Sequence, residues 1–225
     1  MNKYLILLCF FIAPFFKLST LYAQDLPLKE WSANTHEKPL IFYISGDGGM
    51  NKFSTSLCEE LNSKGFDVIA LNARSYFWDK KTPELTASDV NNLLTKKLSG
   101  RKNQQIVMIG YSFGADVLPF ILNRLPKNTD DKVLVSYLLA SSGSTDFEIH
   151  WADIFGSNTK RSMDVVSEIN KLTDEKVVII SASDDKTLAV NKITLKRFTH
   201  EMLPGGHHFD GDTDEIVNAI LTDMD

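Results

Sequence analysis

Short continuous apolar runs alternate along this chain with segments in which apolar residues recur every three or four positions. Such runs are typical of strands buried on both faces, and the three- to four-residue period is typical of helices packed by one side. The runs lie at 39–44, 67–71, 105–110, 132–140 and 176–180, and the amphipathic segments at 51–64, 86–98, 113–124, 164–172 and 213–224. The alternation predicts an α/β fold with a mostly parallel sheet and helices on both faces.

Five further segments show weaker patterns. Residues 26–34 are predicted as a lead-in or edge strand, 188–192 as a brief helical segment, and 193–202 as the last strand. Residues 72–85 and 141–163 have no clear period, so we predict long loops there. Because no repeat or interdomain linker interrupts the pattern, we predict a single domain over residues 24–225.

The overall composition narrows the function classes. The chain has 225 residues, of which 43% are hydrophobic and 24% charged, which is enough for one well-formed core. Its formal charge is −5, and it contains no basic run or basic–aromatic patch. A nucleic-acid-binding function therefore has no support in the sequence.

The first 23 residues have the pattern of a secretory signal peptide. A short basic stretch at 1–3 precedes an apolar run at 4–16, and the small-residue sequence at 21–23 offers a cleavage site near Ala23. Cleavage there would leave Cys58 as the single cysteine, so no disulfide within the chain is expected.

The sequence Gly110-Tyr-Ser112-Phe-Gly114 is a G-x-S-x-G motif between an apolar run and an amphipathic segment. In this setting the motif predicts a nucleophile elbow, in which a sharp strand-to-helix turn presents the serine hydroxyl above the sheet. Glycines on both sides allow the strand and the helix to cross closely. Pro119, inside the following helix, predicts a kink or an early end.

A serine nucleophile needs a neutral imidazole to accept its proton. His207 directly follows Gly205-Gly206, which would let its loop approach the serine, and we predict it as the base. The neighbouring His208 is the alternative. Because Ser112 precedes this loop, the chain order fits the α/β-hydrolase fold if an acid lies between them.

The acid of the predicted triad is a choice among three aspartates. Asp184 lies in the first turn after the strand at 176–180, and we predict it as the carboxylate that orients the imidazole. Its neighbour Asp185 is the main alternative, and Asp146, after the preceding strand, is a less standard one.

A tetrahedral intermediate needs N–H donors for its negative oxygen. We predict one from the backbone of Phe113 and the other from Asp47 or Gly48, in the glycine-rich turn after the first buried strand. That turn lacks the spacing of a P-loop and of a dinucleotide fingerprint. We therefore expect no cofactor and no metal.

Four blocks of sequence together resemble the VirJ/AcvB family of bacterial virulence proteins. They lie at 43–49, 76–83, 110–126 and 203–211. The resemblance implies a periplasmic protein with an α/β-hydrolase fold that hydrolyses aminoacylated phosphatidylglycerol, typically lysyl-phosphatidylglycerol, and is associated with type IV secretion. Ser112 carries over as nucleophile and His207 as base. The run Ser181-Ala-Ser-Asp-Asp185 departs from the family pattern of a glycine followed by acidic residues.

A lipid-linked aminoacyl ester at the membrane surface carries both a cation and apolar chains. We predict substrate contacts from acidic residues for the cation and from aromatic residues for the lipid, at Asp47, Asp79 and Asp116, and at Tyr76, Phe77, Trp78 and Trp151. The alternative function is that of a non-catalytic accessory protein on a hydrolase scaffold. Secretion-system proteins are possible partners under either interpretation.

Overall fold

A seven-stranded sheet crosses the part of the chain that the computed structural model describes, residues 26–149, 161–173 and 176–224. The strands of this main sheet are β1 (Leu28–Trp31), β2 (Leu40–Ile44), β3 (Val68–Leu71), β4 (Ile106–Tyr111), β5 (Val133–Leu139), β8 (Val177–Ala182) and β9 (Phe198–Leu203). Two short strands, β6 (Ser144–Thr145) and β7 (Met163–Asp164), form a separate two-stranded ribbon. The spatial order of the main sheet is β1-β3-β2-β4-β5-β8-β9. Within this main sheet only β1 runs antiparallel to its neighbour, so the predicted mostly parallel sheet is confirmed.

The helices lie between the strands, as the alternating pattern predicts. They are α1 (Lys52–Ser63), α2 (Ala73–Tyr76), α3 (Pro83–Leu98), α4 (Phe113–Leu122), α5 (Lys127–Asp130), α6 (Val165–Ile169) and α7 (Thr213–Met224), with 3-10 turns at Val190–Lys192 and Phe209–Gly211. Within the three described ranges, no helix is long and apolar enough to cross a bilayer.

Several details of the prediction are wrong. The segment 72–85 is not a loop throughout, since it contains α2 and the first turn of α3. The last strand begins at Phe198, five residues later than predicted. Thr82 caps α3 by accepting a hydrogen bond from the Leu85 N–H at 3.2 Å, and Pro83 takes the first helical position, where a missing N–H costs little. Pro119 does not end α4, which continues for three residues beyond it.

Alternate residues of the central strands supply two separate cores. In β2, the side chains of Leu40, Phe42 and Ile44 pack on one face with α3, α4 and α6. Ile41 and Tyr43 point to the other face, where α1 and α7 cover them. Helices therefore cover the sheet on both sides, and its polar loops emerge at the strand ends.

The order of the strands determines where a ligand can bind. After β2 the chain moves outward to β3 and then returns to the opposite side of β2 as β4. Neighbouring connections leave in opposite directions at this point, which opens a crevice at the carboxyl ends of β2 and β4. The glycine-rich turn at 45–49 and the G-x-S-x-G motif both lie there.

Candidate active site

Ser112 occupies the sharp turn between β4 and α4. Its backbone has φ 53° and ψ −120°, a conformation that residues with a Cβ atom rarely adopt. The flanking glycines make the turn possible: a Cβ on Gly110 would lie 2.5 Å from the Gly114 carbonyl oxygen, and one on Gly114 would lie 2.2 Å from that of Ile44. The local geometry is that of a nucleophile elbow.

The turn after β2 packs directly against this elbow. A Cβ on Gly46 would lie 3.3 Å from that of Ser112, and the Gly49 N–H donates to the Gly46 carbonyl at 2.9 Å to close a turn with Asp47 and Gly48 at its centre. Phe113 is the first residue of α4, so its N–H has no acceptor within the helix. The predicted oxyanion donors thus lie on both sides of the serine.

The predicted base reaches the serine. Ser112 Oγ lies 2.8 Å from His207 Nε2, and His207 Nδ1 lies 2.6 Å from Asp185 Oδ2. The side chain of His207 is 42% exposed and that of Asp185 is 8% exposed. A serine, an imidazole and a buried carboxylate are therefore aligned for proton transfer from the serine hydroxyl.

The choice of Asp184 as the orienting carboxylate does not fit this geometry. Strand β8 extends to Ala182, two residues beyond the predicted end, and the Asp185 N–H then donates to the Ala182 carbonyl at 3.0 Å. This turn leaves Asp184 exposed, where its carboxylate accepts a hydrogen bond from Ser183 Oγ at 3.2 Å. Asp185, the alternative, faces His207.

Asp185 is held by a second residue besides the histidine. Thr187 donates to Asp185 Oδ1 from its hydroxyl at 2.8 Å and from its backbone N–H at 3.2 Å. Burial acts to raise the pKa of the Asp185 carboxyl, but the hydrogen bonds from His207 and Thr187 outweigh it and hold that pKa below its usual range. Asp185 is consequently ionised at neutral pH and can balance a positive imidazole.

The second histidine has a different neighbour. His208 Nδ1 contacts the hydroxyl of Tyr111, which also donates to the His207 backbone carbonyl at 3.2 Å. Tyr111 precedes the serine in the motif, so its hydroxyl ties the histidine loop to the elbow. The structure therefore places His207 on the serine and His208 beside it.

Asp116 lies close to the elbow, but its carboxylate is already occupied. It is 7% exposed and accepts hydrogen bonds from Ser141 Oγ, Ser142 Oγ and the Ser142 N–H at 2.9, 2.7 and 2.6 Å. Burial raises its pKa to about 6, although these hydrogen bonds and the charge of His207 act in the opposite direction. The predicted role of Asp116 as a direct substrate contact does not fit this arrangement.

The three described residues of the predicted aromatic wall, Tyr76, Phe77 and Trp78, do not line the cleft. Tyr76 and Phe77 are buried in the core, where the ring of Phe77 packs edge-on against those of Phe113 and Phe147. Trp78 is 45% exposed and lies outside the lining of the cleft. Packing in the core therefore accounts for Tyr76 and Phe77. Trp151 lies outside the described residues.

A cleft of about 1290 Å³ surrounds Ser112 and His207. Carboxylates outnumber cationic groups in its described lining, which contains the acidic residues Asp47, Asp116, Asp146, Glu148, Asp164, Asp184 and Asp185 and the basic residues Arg74, Arg161 and Lys192. Sequence reasoning missed Glu148 and Arg74, because each lies in a segment without periodicity. Asp79 is not among the lining residues.

The strand order, the elbow and the aligned side chains define a protein of the α/β-hydrolase class. Within that class the chain belongs to the family described as bacterial virulence protein (VirJ), whose profile matches residues 39–225. The resemblance to this family is therefore confirmed over nearly the whole described chain.

Solved structures support the fold assignment. MenH from S. aureus has a TM-score of 0.64 at 12% identity, covering 87% of this chain and 96% of that chain. Est1E from Butyrivibrio proteoclasticus has a TM-score of 0.62 at 14% identity, covering 89% of this chain and 94% of that chain. The Paleococcus ferrophilus monoacylglycerol lipase has a TM-score of 0.59 at 14% identity, covering 88% of this chain and 99% of that chain. A search of curated protein sequences found no match.

Proposed function

We propose that this protein is a serine esterase that hydrolyses the aminoacyl ester of aminoacylated phosphatidylglycerol, of the lysyl type. The observation that carries the proposal is the line of contacts from Ser112 Oγ through His207 to Asp185, at 2.8 and 2.6 Å. The similarity of the fold of this chain to Est1E and to a monoacylglycerol lipase is consistent with an esterase.

The reaction proceeds in two halves. Ser112 Oγ attacks the ester carbonyl carbon while His207 Nε2 takes the hydroxyl proton, and the negative oxygen of the intermediate is bound by N–H groups at Phe113 and at Asp47 or Gly48. The carbon–oxygen bond to the glycerol breaks, and His207 returns the proton to the leaving alcohol. Water then attacks the acyl-serine by the same route, which releases the amino acid and the free Ser112 hydroxyl.

The charge of the cleft favours a cationic acyl group. Glu148 is half-buried in the lining, and no hydrogen bond or ion pair engages its carboxylate within the described chain; the same holds for Asp47 beside the elbow. An ammonium group that replaces water between such carboxylates gains a charge-assisted hydrogen bond. A lysyl ester has two ammonium groups to offer.

A basic residue of the cleft, Arg74, suits the phosphate of such a substrate. Arg74 is exposed in the lining, and a Cβ on Gly49 would approach its Cβ to 3.1 Å, which places Arg74 next to the turn at 46–49. The leaving alcohol of an aminoacyl phospholipid carries a phosphodiester one glycerol away from the ester. We assign Arg74 to that phosphate, since a guanidinium forms paired hydrogen bonds with it.

The proposal includes a location. We propose from the signal-peptide pattern at 1–23 and the family resemblance that the enzyme acts in the periplasm, where it would face its lipid substrate. Residues 1–25 lie outside the described part of the chain. Secretion-system proteins are proposed as partners on the resemblance alone.

The first test uses the purified protein and its Ser112→Ala variant, with Ser63→Ala, an exposed serine at the end of α1, as the matched control. Each is treated with a fluorophosphonate probe and then incubated with vesicles containing lysyl-phosphatidylglycerol. We expect labelling and lysine release from the wild type and the control. Ser112→Ala should not label and should release lysine at least about 10⁴-fold more slowly, because the nucleophile is gone.

The outcomes separate the possible functions. Labelling without lysine release would keep the esterase and exclude this substrate. If the folded wild type does not label, the triad is not functional, and the non-catalytic accessory protein becomes the better hypothesis.

A further inference from the structure

A buried carboxylate that takes no direct part in the proposed reaction is joined to the triad by a ring of contacts. Asp116 follows Ser112 by one helical turn on α4. We propose that Asp116 is a positioning residue that sets the orientation of Asp185, and through it that of His207, by holding the turn after β5. The inference rests on the proposed function, because it concerns the same triad.

The turn after β5 needs support because its backbone is strained. Ala140 has a φ of 49°, which is unfavourable for a residue with a Cβ atom. The next two residues, Ser141 and Ser142, direct three donors at Asp116, at 2.6–2.9 Å. An ionised carboxylate only accepts hydrogen bonds, so it satisfies all three donors at once. Asp116 therefore stabilises the strained turn.

The same turn contacts the group that holds Asp185. Thr187 Oγ1 lies 2.8 Å from Asp185 Oδ1, to which it donates its one proton, and 3.2 Å from the Ser141 carbonyl oxygen, which it therefore contacts without a second hydrogen bond. The Thr187 backbone N–H adds a second contact to Asp185 Oδ1 at 3.2 Å. One oxygen of Asp185 is thus fixed by Thr187, and the other is left for His207.

The contacts close into a ring that joins four loops. The Asp116 N–H donates to the Ser112 carbonyl at 3.0 Å, and Ser112 Oγ meets His207. The ring then runs from His207 through Asp185, Thr187 and Ser141 back to Asp116. Each loop after β4, β5, β8 and β9 contributes a member, so a shift of the turn after β5 would reach the imidazole.

Asp116 also acts on His207 by its charge. Among the described residues, the charge of His207 acts on Asp116, and Asp185, Tyr111 and His208 are the other titratable groups that contact His207. A negative charge on Asp116 favours the protonated imidazole. Loss of that charge, and loosening of Asp185, should therefore both disfavour the protonated imidazole.

The test compares Asp116→Asn and Thr187→Val with Glu168→Gln. Glu168 is a suitable control because it is also a buried, hydrogen-bonded carboxylate, 3% exposed and bonded to Arg124 and Lys171, but it does not line the cleft. On a short lysine ester, we expect kcat of Asp116→Asn to fall about 10- to 100-fold, with KM within about twofold. Thr187→Val should show the same kind of loss, and Glu168→Gln should keep the wild-type kcat.

Two pH measurements separate positioning from general stability. The acid limb of kcat/KM should move to lower pH in Asp116→Asn, because the base remains neutral to lower pH, and not in Glu168→Gln. An NMR titration of the His207 ring, assigned with His207→Gln, should show the ring taking up its proton at lower pH in Asp116→Asn than in the wild type. This titration needs no turnover, so it remains decisive even if the wild type proves inactive and the proposed function fails.

The inference is wrong if folded Asp116→Asn keeps the wild-type kcat and the wild-type titration of His207. It is equally wrong if Asp116→Asn does not fold and Thr187→Val then keeps both properties. Equal shifts of the pH profile in Glu168→Gln would also overturn it, because the effect would then be a general one.

Discussion

Two adjacent aspartates after β8 have different surroundings and should differ in function. Asp185→Asn removes the charge that balances the imidazole and reverses the donor on His207 Nδ1, so we expect kcat on a lysine ester to fall about 10³- to 10⁴-fold. Asp184→Asn changes an exposed carboxylate that makes no contact with His207, and kcat should fall less than about tenfold. Steady-state kinetics of the two variants check this, and the reverse ranking would return the role of the acid to Asp184.

The structure places the predicted serine and histidine side by side, and both were chosen from nearby glycines. Glycines lie two residues on either side of Ser112 and directly before His207. The acid could not be chosen, since β8 ends two residues later than predicted and the turn that follows it at Ala182 points Asp185 at His207. Strand ends depend on pairing with β9, which the local sequence does not encode.

At the scale of elements, the crossing of α4 over β2 depends on one glycine. Gly114→Ala adds a Cβ 2.2 Å from the Ile44 carbonyl oxygen. Alanine is favoured over glycine in a helix by about 1 kcal/mol, but a contact this short with backbone forces the helix and strand apart. We expect a net loss of about 3 kcal/mol in the free energy of unfolding, measured by urea denaturation.

Gly206→Ala is the matched control for this prediction. No heavy atom lies within 4 Å of a Cβ at that position, and Gly206 has no positive φ. Its free energy of unfolding should stay within about 0.5 kcal/mol of the wild type. Equal stability of both variants would mean that α4 does not need Gly114 to cross β2.

The bounds of predicted elements were most accurate where an apolar run was continuous, and less accurate elsewhere. Strands β2, β4 and β5 are continuous apolar runs, and their ends agree with the prediction to within one or two residues. Helix α2 was missed because its four residues are fewer than the period needs to become visible. The segment 141–163 gave no signal, although it supplies Ser142, Asp146 and Glu148 to the cleft wall.

For the whole molecule, a buried ion pair at the amino-terminal edge of the sheet should set part of its resistance to acid. Asp67, just before β3, accepts hydrogen bonds from Arg101, His36 and the Ala33 N–H. Burial acts to raise the pKa of Asp67, but these partners outweigh it and lower that pKa. The resulting stability is present above the unfolded-state carboxyl range, near pH 4, and is lost as the pH falls through the lower native value.

We therefore expect Asp67→Asn to be less stable than the wild type at pH 7, by about 3 kcal/mol, because Arg101 is left buried without its counter-charge. The difference should shrink as the pH falls below about 4, where the wild-type carboxylate also becomes protonated. Urea denaturation between pH 7 and pH 3 measures it. Glu60→Gln, which breaks an exposed helix pair with Lys64, should change stability by about 0.5 kcal/mol or less.

The left-handed backbone at Ser112 has a consequence for how such a chain can change over generations. A residue with a Cβ atom in this conformation costs on the order of 1 kcal/mol that glycine would not. Selection for folding alone would therefore drift toward glycine at position 112. A serine retained there lowers the stability of the fold. Its retention in descendants of this gene would therefore indicate that the hydroxyl has a function.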